Sequence, residues 1–161
     1  MTASAIPTSL QPVEPAYRNA LHARAAAFWI ALLVASLIVD WTALAGTPVS
    51  GLLPAFVGLI GLSATIVAPD RIYRRLGYAI DERLLRTVRG WLFHTDTVVP
   101  FVRVQHIDVT RGPFDKLFGT ATLVVHTAGT HNSVVTLPGL APERAAEIRE
   151  AIRSEIRADA E

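Results

Sequence analysis

The 161-residue chain is 51% hydrophobic and 18% charged with a net charge of only +1, so a general polyanion-binding role, nucleic acid included, draws no support from the total. There is no cysteine, which excludes disulfide frameworks, thiolate metal sites and cysteine nucleophiles. The mean hydropathy of +0.37 is concentrated before residue 70, which predicts an anchor plus one domain of roughly ninety residues, room for one small core. Fourteen of the fifteen basic residues are Arg, Lys116 being the exception, a bias that fits a GC-rich genome as well as it fits function.

Residues 1–16 hold Pro7, Pro12 and Pro15 among Ser, Thr and Ala and predict a flexible tail, because the prolines break helices and little is offered for burial. Residues 17–75 predict a transmembrane hairpin. Its first span, 25–44, is interrupted only by Asp40, and its second, 49–68, by no charge at all. Twenty residues at helical rise cover about 30 Å, the thickness of a bilayer's hydrocarbon core. A cleaved signal peptide would need a short apolar core before a small-residue cleavage site, whereas this segment has a long polar lead and a second span close behind it. Arg18 and Arg24 precede the first span, Arg71, Arg74 and Arg75 follow the second, and the turn of Gly46, Thr47 and Pro48 is uncharged. Short Arg-rich flanks stay inside, so both termini are placed on the cytoplasmic side of the inner membrane.

Small residues recur at helical spacing, Ala27, Ala31 and Ala35 on the first span and Gly51, Ala55 and Gly58 on the second, which predicts close packing of the hairpin or of a dimer. Asp40 lies near the outer end beside Trp41, within reach of headgroups and water. Pro54 falls in the first turns of the second helix, where a missing amide costs least.

From residue 76 the pattern changes to short β-type runs, and 76–158 is expected to form a cytosolic domain. Runs at 77–80 and 84–89 flank a turn at 81–83, and Gly90 opens another run to Pro100. In 105–111, Ile107 and Val109 point one way and His106, Asp108 and Thr110 the other, with a turn or bulge near 103–105 because Val102 and Val104 are out of phase. Gly112 and Pro113 end that strand. A helical turn over 114–118 closes at Gly119, 121–127 resumes the sheet with Leu123 and Val125 inward, a turn follows at 129–132, and 133–137 is the last strand before Pro138 and Gly139 stop the sheet. After Pro142, Ala145, Ile148, Ile152 and Ile156 form one apolar stripe on a helix that closes the end of the sheet.

Several fragments together resemble the bacterial membrane-flanked pleckstrin-homology-like domain of the YdbS type. They are Arg74-Arg75-Leu76-Gly77-Tyr78-Ala79-Ile80, then Val98-Val99-Pro100 through Arg103-Val104-Gln105-His106-Ile107-Asp108-Val109, then Gly112-Pro113 with Leu117-Phe118-Gly119, and Leu137-Pro138-Gly139-Leu140. The resemblance implies an α+β membrane protein in which the transmembrane hairpin precedes a small PH-like antiparallel β-barrel of about seven strands with a C-terminal capping helix. It supplies no catalytic motif, and the basic loop that holds phosphoinositide in many eukaryotic relatives has no match here.

Tests for chemistry give little. Ser133 lacks a Gly-x-Ser-x-Gly context, and no Gly-rich phosphate loop precedes a Lys and Ser/Thr pair. His94, His106, His126 and His131 with Asp96 and Asp108 invite a metal test, but no close ligand spacing such as His-x-x-x-His is present and outward sheet positions explain them. Arg86, Arg89, Arg103 and Arg111 read as solvated strand edges. The sequence therefore predicts no catalytic residue, no cofactor and no metal. The expected role is a noncatalytic adaptor at the inner face of the cytoplasmic membrane, its partners the lipid bilayer and a membrane or cytosolic protein or its own copy. The alternative is a sensor of anionic lipid headgroups, with Arg71, Arg74 and Arg75 as the contacts.

Overall fold

The computed structural model describes residues 9–158 apart from 82, 92 and 129–133. A proline pre-set for a first helical position starts helix α1 (Pro15–Val39), which continues without a break into a π-helical turn, Asp40–Leu44. Gly51, at φ 84°, opens helix α2 (Leu52–Arg74). Asp40 accepts hydrogen bonds from the Gly51 N–H at 2.8 Å and the Ser50 hydroxyl at 3.2 Å. Its carboxylate thus sits at the positive end of the α2 dipole as well as near the outer turn.

Both helices are long and apolar enough to cross a membrane, and most of their apolar surface faces outward, Phe28, Ile30, Leu59 and Leu62 included. Their mutual packing differs from the expected alanine stripe. Ala27, Ala31 and Ala35 are exposed, and α1 instead presents Trp29 and Leu33 to glycines of α2. A Cβ on Gly61 would lie 3.0 Å from the Trp29 ring, and one on Gly58 would lie 3.8 Å from Leu33. Glycine at 61 lets the indole sit close, since a Cβ there would press on the ring and force it to shift by a few tenths of an ångström.

Short strands with alternating burial build two antiparallel sheets. The first has the order β1 (Gln11–Pro12), β2 (Gly77–Asp81), β3 (Leu84–Arg89), β4 (Thr95–Pro100). The second has the order β5 (Val104–Thr110), β6 (Ala121–Thr127), β7 (Val134–Leu140). A 3-10 turn, Phe101–Arg103, passes the chain from one sheet to the other, and the register shift between Val104 and His106 is the expected bulge. A short helix α3 (Pro113–Phe118) ends at Gly119, whose φ of 67° suits glycine. Helix α4 (Pro142–Ala158) carries the apolar stripe, with Ala145, Ile148 and Ile152 buried and Ile156 partly so.

The domain is therefore two sheets and a capping helix, and the barrel that the resemblance implies is not closed. Ile107, Leu123, Val125, Ile148 and Ile152 share one core, with Val109 packed against it. Two expectations need correction. The last strand does not stop at Pro138: it runs on to Leu140, which pairs with Ala121, because a register shift between β6 and β7 sets Pro138 and Gly139 against a single residue of β6. Nor is the segment before α1 a free tail throughout. Gln11 and Pro12 pair with Tyr78 and Gly77, and Val13 is buried in the core. Residues 1–8, and the turn expected at 129–132, lie outside the described residues.

Within the first sheet, Arg86 grips Asp96 across β3 and β4 at 2.6–3.2 Å. Hydrogen bonding from that guanidinium holds the Asp96 carboxyl below the usual carboxylate range. A depressed folded pKa means the pair stabilises above about pH 4, the ordinary aspartate value, and that this contribution fades as pH falls through the lower folded value. Asp96→Asn is expected to lower the neutral-pH melting temperature and to converge with wild type in strong acid, checked by melting curves across pH. Val125→Asp is expected to abolish cooperative melting, since an unpaired charge at a fully buried position costs several kcal/mol against a marginal total.

Candidate functional site

The side chains that most constrain this molecule lie where the apolar hairpin meets the domain. The first turns of α1 do not stand clear of the sheets. Tyr17 and Ala20 are in the domain core with Leu140 and Leu137. Gly139, at φ 77°, takes the Tyr17 ring so closely that a Cβ there would approach it to 2.6 Å, and the Gly139 carbonyl accepts from the Glu14 N–H at 2.8 Å. One turn further along, Arg24 donates to Asp115 at 2.7 Å. Asp115, only 4% exposed, also accepts from the Gly112 N–H at 3.0 Å and the Thr120 hydroxyl at 3.1 Å. The Arg24 guanidinium lies about 6 Å from the ring centres of Tyr17 and Phe114, within cation–π range.

A second clasp joins α1 to the lower end of α2. Pro69 is inside α2 and has no N–H, so the carbonyl of Thr65, four residues earlier, has no helical donor. His22 of α1 fills the gap, its Nδ1 2.9 Å from that oxygen. The other ring nitrogen is 3.1 Å from Asp70, which also receives Arg18 at 2.6 and 3.2 Å. Both His22 contacts are hydrogen bonds at once only when both ring nitrogens carry protons. Tyr73 completes the joint by donating its hydroxyl to the Val13 carbonyl at 3.2 Å.

The arginines singled out in the sequence divide. Arg74 and Arg75 line a cavity of about 380 Å³ together with His94, while Arg71 is exposed outside it. Leu10, Pro12, Leu76 and Val88 supply its apolar wall. Arg75 donates to the Trp91 carbonyl at 2.8 Å, which fixes the β3–β4 loop beside the cavity with Phe93 84% exposed. Among the described residues Arg71 and Arg74 have no hydrogen-bond or ion-pair partner, in contrast to Arg18, Arg24 and Arg86, each within 2.7 Å of a carboxylate.

His106, Asp108 and His126 do come together on the outer sheet face, with Asp108 2.9 Å from His106 and 3.6 Å from His126. Among the described residues, however, no group of three His, Cys, Asp or Glu side chains could hold a metal ion. Arg86, Arg89 and Arg111 are engaged with Asp96, Thr136 and the Thr120 carbonyl, and Ser133 and His131 fall outside the described residues.

The model of a family described as bacterial PH domain matches residues 16–156, which takes in the hairpin and every strand of the two sheets but β1. The chain belongs to the bacterial PH domain family. A transmembrane protein of Bacillus subtilis (strain 168), YdbS, is 34% identical over 105 residues, covering 65% of this chain and 64% of that relative. The match thus spans just under two thirds of the relative's length. No solved structure matches. That the family match begins at residue 16, within the first turn of α1, agrees with a bacterial PH domain whose hairpin and sheets are built as one unit.

Sequence reasoning used Arg18 and Arg24 only as markers of orientation and passed over His22, Asp70 and Asp115. The signals were present: a proline followed by an acid near the end of an apolar run, and Gly112-Pro113-Phe114-Asp115, in which an acid three residues after the helix start can return to the backbone. Two outcomes test the joint. Asp115→Ala is expected to destabilise by about 2–3 kcal/mol, because Arg24 and Thr120 lose a shared charged acceptor. Gly139→Ala is expected to be worse, since it combines a positive φ with a clash, and Tyr17→Ala in the same background should recover part of the loss, read by thermal melting of the full chain in detergent.

Proposed function

We propose that this chain is a membrane-anchored, noncatalytic PH-like module that acts as a protein-interaction or assembly adaptor at the inner face of the bacterial cytoplasmic membrane, with both termini cytoplasmic. The observation that carries it is the continuity of α1: one helix has Tyr17 and Ala20 in the domain core and Phe28, Ile30 and Leu32 exposed outside it. An exposed apolar belt of that extent calls for lipid. A helix shared between anchor and domain leaves no linker to swivel on, so the domain is presented at one height and angle, which suits assembly with other membrane components. Among the described residues β4 pairs only with β3, and its outer edge, with Val98 exposed, offers main-chain groups for strand addition. The transmembrane relative supports the anchoring.

A second reading, a sensor of anionic headgroups, is favoured by Arg71 and Arg74, cations whose side chains have no partner among the described residues at the foot of α2. Each charge near an anionic surface contributes about 1 kcal/mol.

Because the chain has no cysteine, single introduced thiols report cleanly. Arg157→Cys is expected to react with a membrane-impermeant maleimide only after permeabilisation, and reaction in intact cells would reverse the orientation. A photo-crosslinking residue at Val98 is expected to yield a discrete protein adduct in native membranes. Adducts to lipid alone would count against the adaptor role and for the headgroup reading.

A further inference from the structure

The cavity at the foot of α2 combines features that neither an interaction edge nor a topology signal needs. One wall is apolar, made by Leu10, Leu76 and Val88, and the rim carries Arg74, Arg75 and His94. At about 380 Å³ it falls at the small end of the range for ligand pockets, large enough for a phosphate ester and its glycerol but not for a whole diacyl lipid. Its position follows from helix geometry. Arg74 is six residues beyond the apolar run that ends at Ala68, about 9 Å further along the axis, where the headgroup layer lies against the hydrocarbon core. Arg75 spends one N–H on the Trp91 carbonyl at 2.8 Å and retains others. That bond also holds exposed Trp91 and Phe93 beside the cavity, aromatic side chains of the kind that settle at a membrane interface.

We infer that this cavity binds the headgroup of one anionic phospholipid, its phosphate between Arg74, Arg75 and His94, its glycerol against the apolar wall and its chains in the adjoining leaflet. The inference rests on the anchoring reading above and deepens its headgroup alternative from a diffuse surface attraction to one bounded site. Charge complementarity selects the occupant: the rim is cationic and Arg74 has no carboxylate to neutralise it among the described residues. An apolar wall would add nothing for a free inorganic anion, which is bound by charge and hydrogen bonds alone, whereas a lipid uses both.

The test uses the full chain, released from bilayers of equal phosphatidylglycerol and phosphatidylcholine and weighed by native mass spectrometry. One phosphatidylglycerol per chain is expected to be retained. Arg74→Gln should reduce that retention roughly tenfold, the equivalent of one charge-assisted hydrogen bond. Leu10→Trp, which keeps every charge but narrows the cavity, should reduce it as well, while Arg157→Gln on α4 should not. Equal retention of the two lipids, or wild-type retention by Arg74→Gln or Leu10→Trp, would overturn the site. Added inorganic phosphate is expected to leave the lipid in place, and displacement by it would reassign the cavity to a free anion. Carbonate extraction of the same proteins separates the two levels. Extraction of wild type would overturn the anchoring reading together with the site, whereas resistant protein without selective lipid would overturn the site alone.

Discussion

Everything else in this molecule depends on α1 passing from a protein core into an apolar surrounding without a break. Its lower turns are held as a core helix is held, by Tyr17 against Gly139 and Ala20 among the leucines. Its upper turns pack on α2, with Trp29 on Gly61 and Leu33 near Gly58. Between them sits a polar layer: Arg24 on Asp115, and Arg18 and His22 on Asp70. Each of those polar and charged groups would be costly if stranded at the edge of lipid, and pairing them across elements converts that cost into alignment. The proline in α2 contributes by lacking an amide, since the carbonyl it leaves open is the one His22 meets.

The same layer explains how the cations are divided. Arg18, Arg24 and Arg86 face carboxylates at hydrogen-bond distance, whereas Arg75, Arg89 and Arg111 donate to carbonyl or hydroxyl oxygens. Arg71 and Arg74 face none among the described residues, and the acid nearest in sequence, Asp70, is already occupied by Arg18 and His22. Charge left unpaired among the described residues at the foot of an apolar helix is what the proposed headgroup site would use.

Much of the architecture could be read from the sequence because it rests on periodicity. The uninterrupted run to Ala68, the alternation at Ile107 and Val109, and the four-residue recurrence of Ile148, Ile152 and Ile156 each specify one element and one buried face. What escaped was tertiary. Gln11 and Pro12 have no strand signal of their own and pair only because β2 offers an edge. Ala27, Ala31 and Ala35 had the spacing of a packing stripe, but a large ring seated on a glycine gives more contact than small residues facing each other, so Trp29 took the interface. Pro138 and Gly139 looked like a stop because stop signals are local, while the partner strand that accommodates them is remote. In the candidate site the arginine cluster was legible as charge, and its separation into two cavity residues and one outside it was not, since that depends on where His94 and Leu10 arrive.

The central claim is that hairpin and domain move as one body. It is tested most directly by the distance between spin labels on cysteines introduced at Ala31, exposed on the upper part of α1, and Thr110, exposed at the end of β5, with the full chain in lipid nanodiscs. The shared helix predicts a single distance distribution no wider than the labels themselves impose. A broad or multiple distribution at neutral pH would mean that the domain swings on its anchor, and the account of a rigidly mounted module would be wrong.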